Sequence, residues 1–145
     1  MKFIYFLAAS MLIFVSCEKE ETTDNTPSFS WKIDGDEFTD NSPVIGVNSS
    51  DVFTIDASDN SVDIRLIIYS FKDLSDGSEI PLNATPPRAH VTKNGVYYTD
   101  TQNGTLTFSK ITESKLNGTF NFTSRELDNF QSVTVTDGIF SNITY

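Results

Sequence analysis

Apolar and polar residues alternate with a period of two along much of this chain, and this pattern limits what it can fold into. Phe29, Trp31 and Ile33 alternate with polar residues, and the same alternation recurs in 62–68 and 116–123. Beyond residue 16, Thr, Ser, Val, Ile and Phe are abundant, whereas the strong helix formers are scarce. Such alternation is typical of antiparallel strands with one face buried and the other in water.

Short turn signals separate the alternating runs. Asp34-Gly35 and Asn94-Gly95 predict two-residue hairpins, because Asn, Asp and Gly tolerate the positive φ of a type I′ turn. Three similar pairs predict further turns: Asp76-Gly77, Asn103-Gly104 and Asp137-Gly138. Asn117-Gly118 does not interrupt its alternating run, so Gly118 predicts a bulge or a close approach of backbones within a strand.

Together these signals predict a single all-β domain. We expect an antiparallel β-sandwich or a partly open barrel of about eight or nine strands. Segment 62–71 becomes apolar on both faces and is predicted to be the central strand. Pro81 and Pro86-Pro87 flank an irregular stretch that predicts a crossing between sheets. No long window shows a helical stripe, although 124–131 could hold one short turn.

The N-terminal segment has a different pattern. Lys2 precedes the apolar run Phe3–Val15, whose 13 residues are too few for a membrane-spanning helix of roughly 20 but suit a signal-peptide core. The segment Phe14-Val15-Ser16-Cys17 resembles the lipobox of bacterial lipoproteins, with Phe14 where Leu is usual. The resemblance implies cleavage between Ser16 and Cys17 and acylation of Cys17, the only cysteine in the chain. An ordinary secretory signal with a chance cysteine is the alternative.

Three segments are therefore predicted: a lipoprotein signal peptide at 1–16, a disordered acidic tether at 17–27 and a β-sandwich domain at 28–145. The tether is charged and polar and has no apolar periodicity. Its Glu18-Lys19-Glu20-Glu21 cluster resembles the export signal of many Bacteroidota lipoproteins. That resemblance implies a protein anchored by lipid in the outer membrane at the cell surface. The periplasmic face is the alternative.

Several motifs in the β-region belong together. They are WKIDGDEF at 31–38, GTLTF at 104–108, LNGTFNFT at 116–123 and VTVTDGIF at 133–140. With the lipobox, they resemble a family of small Bacteroidota lipoproteins of unknown function. Because the motifs consist of strands and turns, the resemblance implies an all-β fold, and it also implies a location in the cell envelope. It brings no catalytic residue.

Composition argues against several classes of chemistry. The chain has 20 acidic and 10 basic residues and a net charge of −10, so we expect it to bind neither nucleic acid nor an anionic lipid surface. One histidine and one cysteine are too few for a zinc site. No Gly-x-Ser-x-Gly motif is present, and His90 is interpreted as an exposed or edge-strand residue. The acidic segment 56–63 lacks the Gly and Glu of a calcium loop and predicts a hairpin. We predict no catalytic residue, no metal and no cofactor.

Aromatic residues are the remaining functional hint. Trp31, Tyr97 and Tyr98 are candidate ligand-facing residues, together with Tyr69 and Tyr145, and packing in the core or at a sheet edge is the alternative. The sequence predicts a lipid-anchored lipoprotein with a non-catalytic binding or structural role and a glycan or protein partner. The alternatives are a glycan-binding accessory lipoprotein and a small hydrolase that uses a pair of acids.

Overall fold

The computed structural model describes residues 26–48, 51–83, 88–112 and 114–145 of the chain. These residues form eleven strands and one short 3-10 turn at Phe71–Asp73. The strands are β1 (Ser28–Ile33), β2 (Asp36–Asp40), β3 (Val44–Val47), β4 (Val52–Asp59), β5 (Val62–Tyr69), β6 (Glu79–Pro81), β7 (Arg88–Lys93), β8 (Val96–Tyr98), β9 (Asp100–Ile111), β10 (Lys115–Arg125) and β11 (Ser132–Thr144). The all-β prediction is confirmed.

Two antiparallel sheets pack as an open sandwich. One sheet has the order β2-β1-β11-β10-β9-β6, and the other has the order β3-β4-β5-β7-β8. The four edge strands are β2, β3, β6 and β8, each of five residues or fewer. Short edges offer little backbone for pairing with another chain. They also explain why the predicted number of strands was too low, since so few residues show little alternation.

The predicted central strand is confirmed, because β5 is the third of five strands in its sheet. The crossing between sheets near Pro81 is also confirmed, since β6 lies in the six-stranded sheet and β7 in the other. Pro86-Pro87 lie outside the described residues, as do Ser16 and Cys17.

The core fills the space between the two sheets. All the residues that were predicted on the apolar faces of β1, β5 and β10 are buried. Its largest fully buried side chains include Trp31, Phe29, Phe53, Phe108 and Phe140. Each large apolar side chain that leaves water contributes about 1.5–3 kcal/mol, so this layer supplies the main stabilisation of the fold.

Three predicted turns form as expected. Asp34-Gly35 and Asn94-Gly95 join β1 to β2 and β7 to β8, and their φ angles of 56°, 92°, 53° and 79° are all positive. Gly77 also has a positive φ, of 80°, in the turn that it makes with Asp76. Residues 127–129 form a turn without a helix.

Two predicted turns are wrong, because Asn103-Gly104 and Asp137-Gly138 lie inside β9 and β11. Asp137 has a φ of 51°, and the register of β11 shifts beside it against both neighbouring strands. The positive φ therefore serves a bulge within a long strand and not a turn. At Gly104 the chains run so close that an added Cβ would lie 2.3 Å from the carbonyl oxygen of Asn121.

Gly118 behaves as predicted. The register of β10 shifts beside it against both β9 and β11. An added Cβ would lie 2.3 Å from the carbonyl oxygen of Thr107 and 2.3 Å from the ring of Phe140. The absence of a side chain at this position lets Phe140 cover the strand.

Buried hydroxyl groups join the two sheets along one flank. The edge strand β8 pairs only with residues 91–93 of β7, so Ala89 lies beyond its end. The hydroxyl of Thr101 accepts a hydrogen bond from Ala89 N at 3.1 Å and donates to Ala89 O at 2.6 Å. Ser124 Oγ donates to the same oxygen at 2.8 Å. Thr101 and Ser124 are fully buried.

Carboxylates make the equivalent connection along the other flank. Asp40 of β2 accepts a hydrogen bond from Ser58 N at 2.9 Å, and Asp59 of β4 accepts one from Thr39 N at 2.8 Å. These bonds use backbone donors that would otherwise be unpaired at the sheet edges.

We predict that Thr101→Val lowers the free energy of unfolding by about 1–3 kcal/mol, because it leaves the buried Ala89 N–H without an acceptor. Ser124→Ala should cost less, since Ala89 O keeps the bond from Thr101. Thr134→Val is the control, because that hydroxyl is exposed and bonds only to Thr123 Oγ1. Urea unfolding of the three variants measures the difference. Equal stability of Thr101→Val and Thr134→Val would contradict the role of Thr101.

Candidate binding groove

The outer face of the five-stranded sheet carries ordered rows of polar side chains. Strand register places Asp56 opposite Arg65, and Arg65 opposite His90. A second row contains Ser58, Asp63, Thr92 and Tyr97. The residues between them on each strand point inward to the core, so the alternation that builds the core also builds these rows.

The two rows line a concave groove of about 600 Å³. Val44 on edge strand β3 borders it at one side, and Thr99 lies after the opposite edge strand β8. This volume is within the range of about 300–1,000 Å³ that is usual for small-molecule sites. We name this concavity the sheet groove.

Both carboxylates of the sheet groove are engaged with neighbouring side chains. Arg65 Nε donates to Asp56 Oδ1 in an ion pair, with the arginine side chain 57% and the aspartate 30% exposed. This hydrogen bond and the charge of Asp56 raise the pKa of Arg65 above its ordinary value. Ser58 Oγ donates to Asp63 Oδ1 at 2.6 Å. The floor of the groove therefore presents hydrogen-bond acceptors and donors whose positions are fixed by their neighbours.

His90 is half-buried on β7 beside Arg65. Burial first, and then the charges of Arg88 and Arg65, lower the pKa of His90 below its ordinary value of 6.5. At neutral pH the imidazole is therefore uncharged, with one nitrogen as donor and the other as acceptor. Its Nε2 is buried without a hydrogen-bond partner among the described residues.

A second concavity, of about 390 Å³, lies next to the sheet groove at the end of the sandwich that carries the hairpin turns. Its lining comes from the β7–β8 turn and from the loop between β10 and β11: Gly95, Val96, Tyr97, Thr99, Glu126, Leu127 and Asp128. Tyr97 and Thr99 line both concavities. We name this second concavity the loop groove.

The candidate aromatic residues have different environments. Trp31 is fully buried, packs edge-on against Phe29 at 5.6 Å and stacks on Phe38 at 5.7 Å. The prediction that Trp31 faces a ligand is therefore wrong, because the alternation of β1 turns this side chain into the core.

Tyr97 is 67% exposed and lines the sheet groove. Its neighbour Tyr98 packs against the core from the other face of β8, as adjacent strand residues must. Tyr69 is exposed outside both grooves, and Tyr145 packs on Phe53 and donates to Thr112 O. Tyr97 is thus the one predicted aromatic that the described structure places in a groove.

The sequence did not single out Asp56, Asp63 or Arg65 as a site, and it gave His90 no role. The only available signal was that polar residues share the outward face of β4, β5 and β7. Among the described residues, no group of three or more His, Cys, Asp or Glu side chains could hold a metal ion. No helix within those residues is long and apolar enough to cross a membrane.

A family model described as a domain of unknown function, DUF6252, matches residues 25–144. No curated protein and no solved structure matches the chain.

We predict that His90, the only histidine, titrates below pH 6.5 in the folded protein. Between that pKa and the unfolded value of about 6.5, the unfolded chain binds more protons than the folded chain. The free energy of unfolding therefore falls as the pH drops through this window, and above the window His90 causes no such loss. Proton NMR of the imidazole measures the pKa directly. Arg88→Gln should raise this pKa, and Lys93→Gln, which removes a cation paired with Asp34, should not. A pKa at or above 6.5 in the unmodified protein would contradict the account.

Proposed function

The chain belongs to the DUF6252 family of domains of unknown function, and we propose that it is a lipid-anchored lipoprotein of the cell envelope. In this proposal its β-sandwich binds a ligand in the sheet groove and catalyses no reaction. The lipid on Cys17 and the acidic tether hold the domain at the outer membrane, facing the cell surface.

The single observation that carries the binding role is the arrangement of side chains in the sheet groove. Arg65 forms an ion pair with Asp56, and Ser58 donates a hydrogen bond to Asp63, so these groups are positioned before a ligand binds. Each retains free lone pairs or N–H groups that a ligand can use. Groups fixed in advance favour binding because less conformational entropy is lost when the complex forms.

The anchor rests on the sequence of the first 27 residues. A lipoprotein carries two or more acyl chains on its first cysteine, and at about 0.8 kcal/mol for each buried methylene they hold firmly in a membrane. If residues 17–27 form the proposed tether, about ten residues of flexible chain would spread over roughly 15–20 Å. Because β1 starts at Ser28 and ends at the Asp34-Gly35 turn, the tether would join the sandwich at the end opposite this turn. The loop groove, beside the Asn94-Gly95 turn, would then point away from the membrane.

A glycan is the second, more specific candidate for the ligand, and Tyr97 favours it. This residue is 67% exposed at a groove that Ser58, Thr92 and Thr99 also line. The electron-rich face of an aromatic ring attracts the polarised C–H groups on one face of a sugar, while carboxylates and guanidinium groups bond to its hydroxyls.

The acid-pair hydrolase has less support. Asp56 and Asp63 are diagonal neighbours on adjacent strands, so their spacing alone would suit two cooperating acids. Each carboxylate, however, already accepts a hydrogen bond from Arg65 or Ser58. Both acids are therefore already engaged with neighbouring side chains of the groove.

We predict that Cys17 carries the lipid. A bacterium that processes lipoproteins and expresses this chain should attach labelled fatty acid to the protein, and Cys17→Ser should abolish this labelling. Ser16→Ala, which keeps a small residue before the cysteine, should leave labelling unchanged. Continued labelling of Cys17→Ser would show that the anchor has been assigned wrongly.

The second prediction concerns the groove itself. We expect the mature chain, starting at residue 17 and carrying Cys17→Ser for solubility, to bind neutral glycans on a printed array of neutral and acidic glycans. Arg65→Ala should weaken this binding by about tenfold or more, since it removes a donor and releases Asp56.

Lys32→Ala is the matched control, because Lys32 forms a similar exposed ion pair with Asp137 at 3.1 Å on the other sheet. Exposed ion pairs contribute about 0–1 kcal/mol, so both variants should fold. Equal loss of binding in the two variants, or wild-type binding by Arg65→Ala, would contradict the assignment of the groove.

A further inference from the structure

We propose that the sheet groove and the loop groove act as two subsites of one site, and that the ligand is an extended neutral oligosaccharide that crosses Tyr97. This inference rests on the proposed binding function and deepens it. It states that the ligand is a chain of several sugar rings and not a single small molecule.

The continuity of the two grooves is the first argument. Tyr97 and Thr99 line both of them, and Tyr97 is 67% exposed at their junction. Edge strand β8 has only three residues, so Tyr97 is its central residue and lies at the side of the sheet. A ligand in one groove can therefore continue over the tyrosine ring into the other.

The loop that forms the second groove is held in place from both ends. Arg125 donates to Asp100 Oδ2 through Nε at 3.1 Å and through Nη2 at 2.6 Å. Its guanidinium carbon also lies 5.2 Å from the ring centre of Phe130. Glu126 N donates to Gln131 O at 2.8 Å and closes the loop. The loop groove is thus preformed, so a ligand that binds there would lose little affinity to ordering of the loop.

Charge along the two grooves selects the kind of ligand. Four carboxylates line them, from Asp56, Asp63, Glu126 and Asp128, whereas Arg65 is the only lining side chain with a permanent positive charge in the described structure. His90 adds no charge at neutral pH, because its pKa lies below 6.5. An anionic polymer would therefore be repelled.

Hydrogen-bonding chemistry and apolar surface, and not charge, favour a neutral chain over a cationic one. Three of the four carboxylates already accept hydrogen bonds, Asp56 from Arg65, Asp63 from Ser58 and Glu126 from Asn129. Sugar hydroxyls can donate to the remaining lone pairs and accept from Arg65 at the same time. Leu127, 61% exposed, and the ring of Tyr97 offer apolar surfaces for the C–H faces of successive sugar rings.

The test is the dependence of affinity on chain length. Isothermal titration of the mature Cys17→Ser chain uses malto-, cello- and manno-oligosaccharides from the disaccharide to the hexasaccharide. We expect at least one series to gain about tenfold or more in affinity, equivalent to about 1.4 kcal/mol, between its shortest and longest members. In NMR spectra the disaccharide should shift amide signals of the sheet groove alone, including that of Arg65, and the hexasaccharide should shift those of both Arg65 and Leu127.

Two variants separate the subsites. Tyr97→Ala should weaken hexasaccharide binding by about tenfold or more, because it removes the aromatic contact at the centre of the site. Leu127→Ser should remove the gain from chain length and leave the affinity for the disaccharide unchanged. Tyr69→Ala and Val47→Ser are the matched controls, since both side chains are exposed and line neither groove.

The possible failures are distinguishable. If no oligosaccharide of any length binds, or if only a Lys-rich peptide binds and does so with strong salt dependence, then the glycan ligand of the proposed function is wrong. If oligosaccharides bind with the same affinity at every length and Leu127→Ser behaves like Val47→Ser, then the sheet groove is the whole site. The two-subsite inference would then be overturned, although the proposed function would stand.

Discussion

Burial of the two inner sheet faces against each other is the interaction on which the rest of the structure depends. Large aromatic side chains, such as Phe29, Trp31 and Phe53, fill this layer. Because every second residue of a strand is used there, each remaining residue must point outward or lie at an edge. Short edge strands complete the sandwich without closing a barrel, together with the hydrogen bonds that Thr101 and Ser124 donate and that Asp40 and Asp59 accept at the flanks. Only the outer faces and the turns remain available for function.

This constraint gives the sheet groove its precision. Asp56, Arg65 and His90 stand in a row because β4, β5 and β7 are locked in register by their inward partners. A slip of one residue would turn the whole core face of a strand into water. The groove therefore keeps its geometry for the same reason that the core keeps its packing. In the proposed site, a ligand would meet groups that are already in position, and no part of the sheet would need to move. The loop between β10 and β11 adds a second surface, which Arg125 ties to β9 through Asp100.

Much of the fold was predictable from the sequence, because alternation reports directly which residues are buried. It placed Trp31 on the same face as Phe29 and Ile33. That placement predicted the burial of Trp31 correctly, whereas the chemistry of its indole ring suggested a ligand contact. The errors arose where the same dipeptide is compatible with either a turn or a bulge inside a strand. Asp137-Gly138 has the positive φ of a turn, but long-range pairing uses it as a bulge. The groove could not be predicted, since it depends on the pairing of β5 with β7. Between these two strands in the sequence lies β6, which belongs to the other sheet. Nothing in the local pattern of residues 62–93 specifies that pairing.

We propose that the outer face of the five-stranded sheet, with Tyr97 at its edge, is a preformed ligand site. A crystal structure of the mature Cys17→Ser chain, grown with the tightest-binding neutral oligosaccharide, tests this most directly. We expect sugar density over the ring of Tyr97, with contacts to Arg65 and Asp63 and with the strands and the Asp56–Arg65 pair unmoved. Density on the six-stranded sheet instead, or a sheet groove that forms only when the ligand is present, would contradict it.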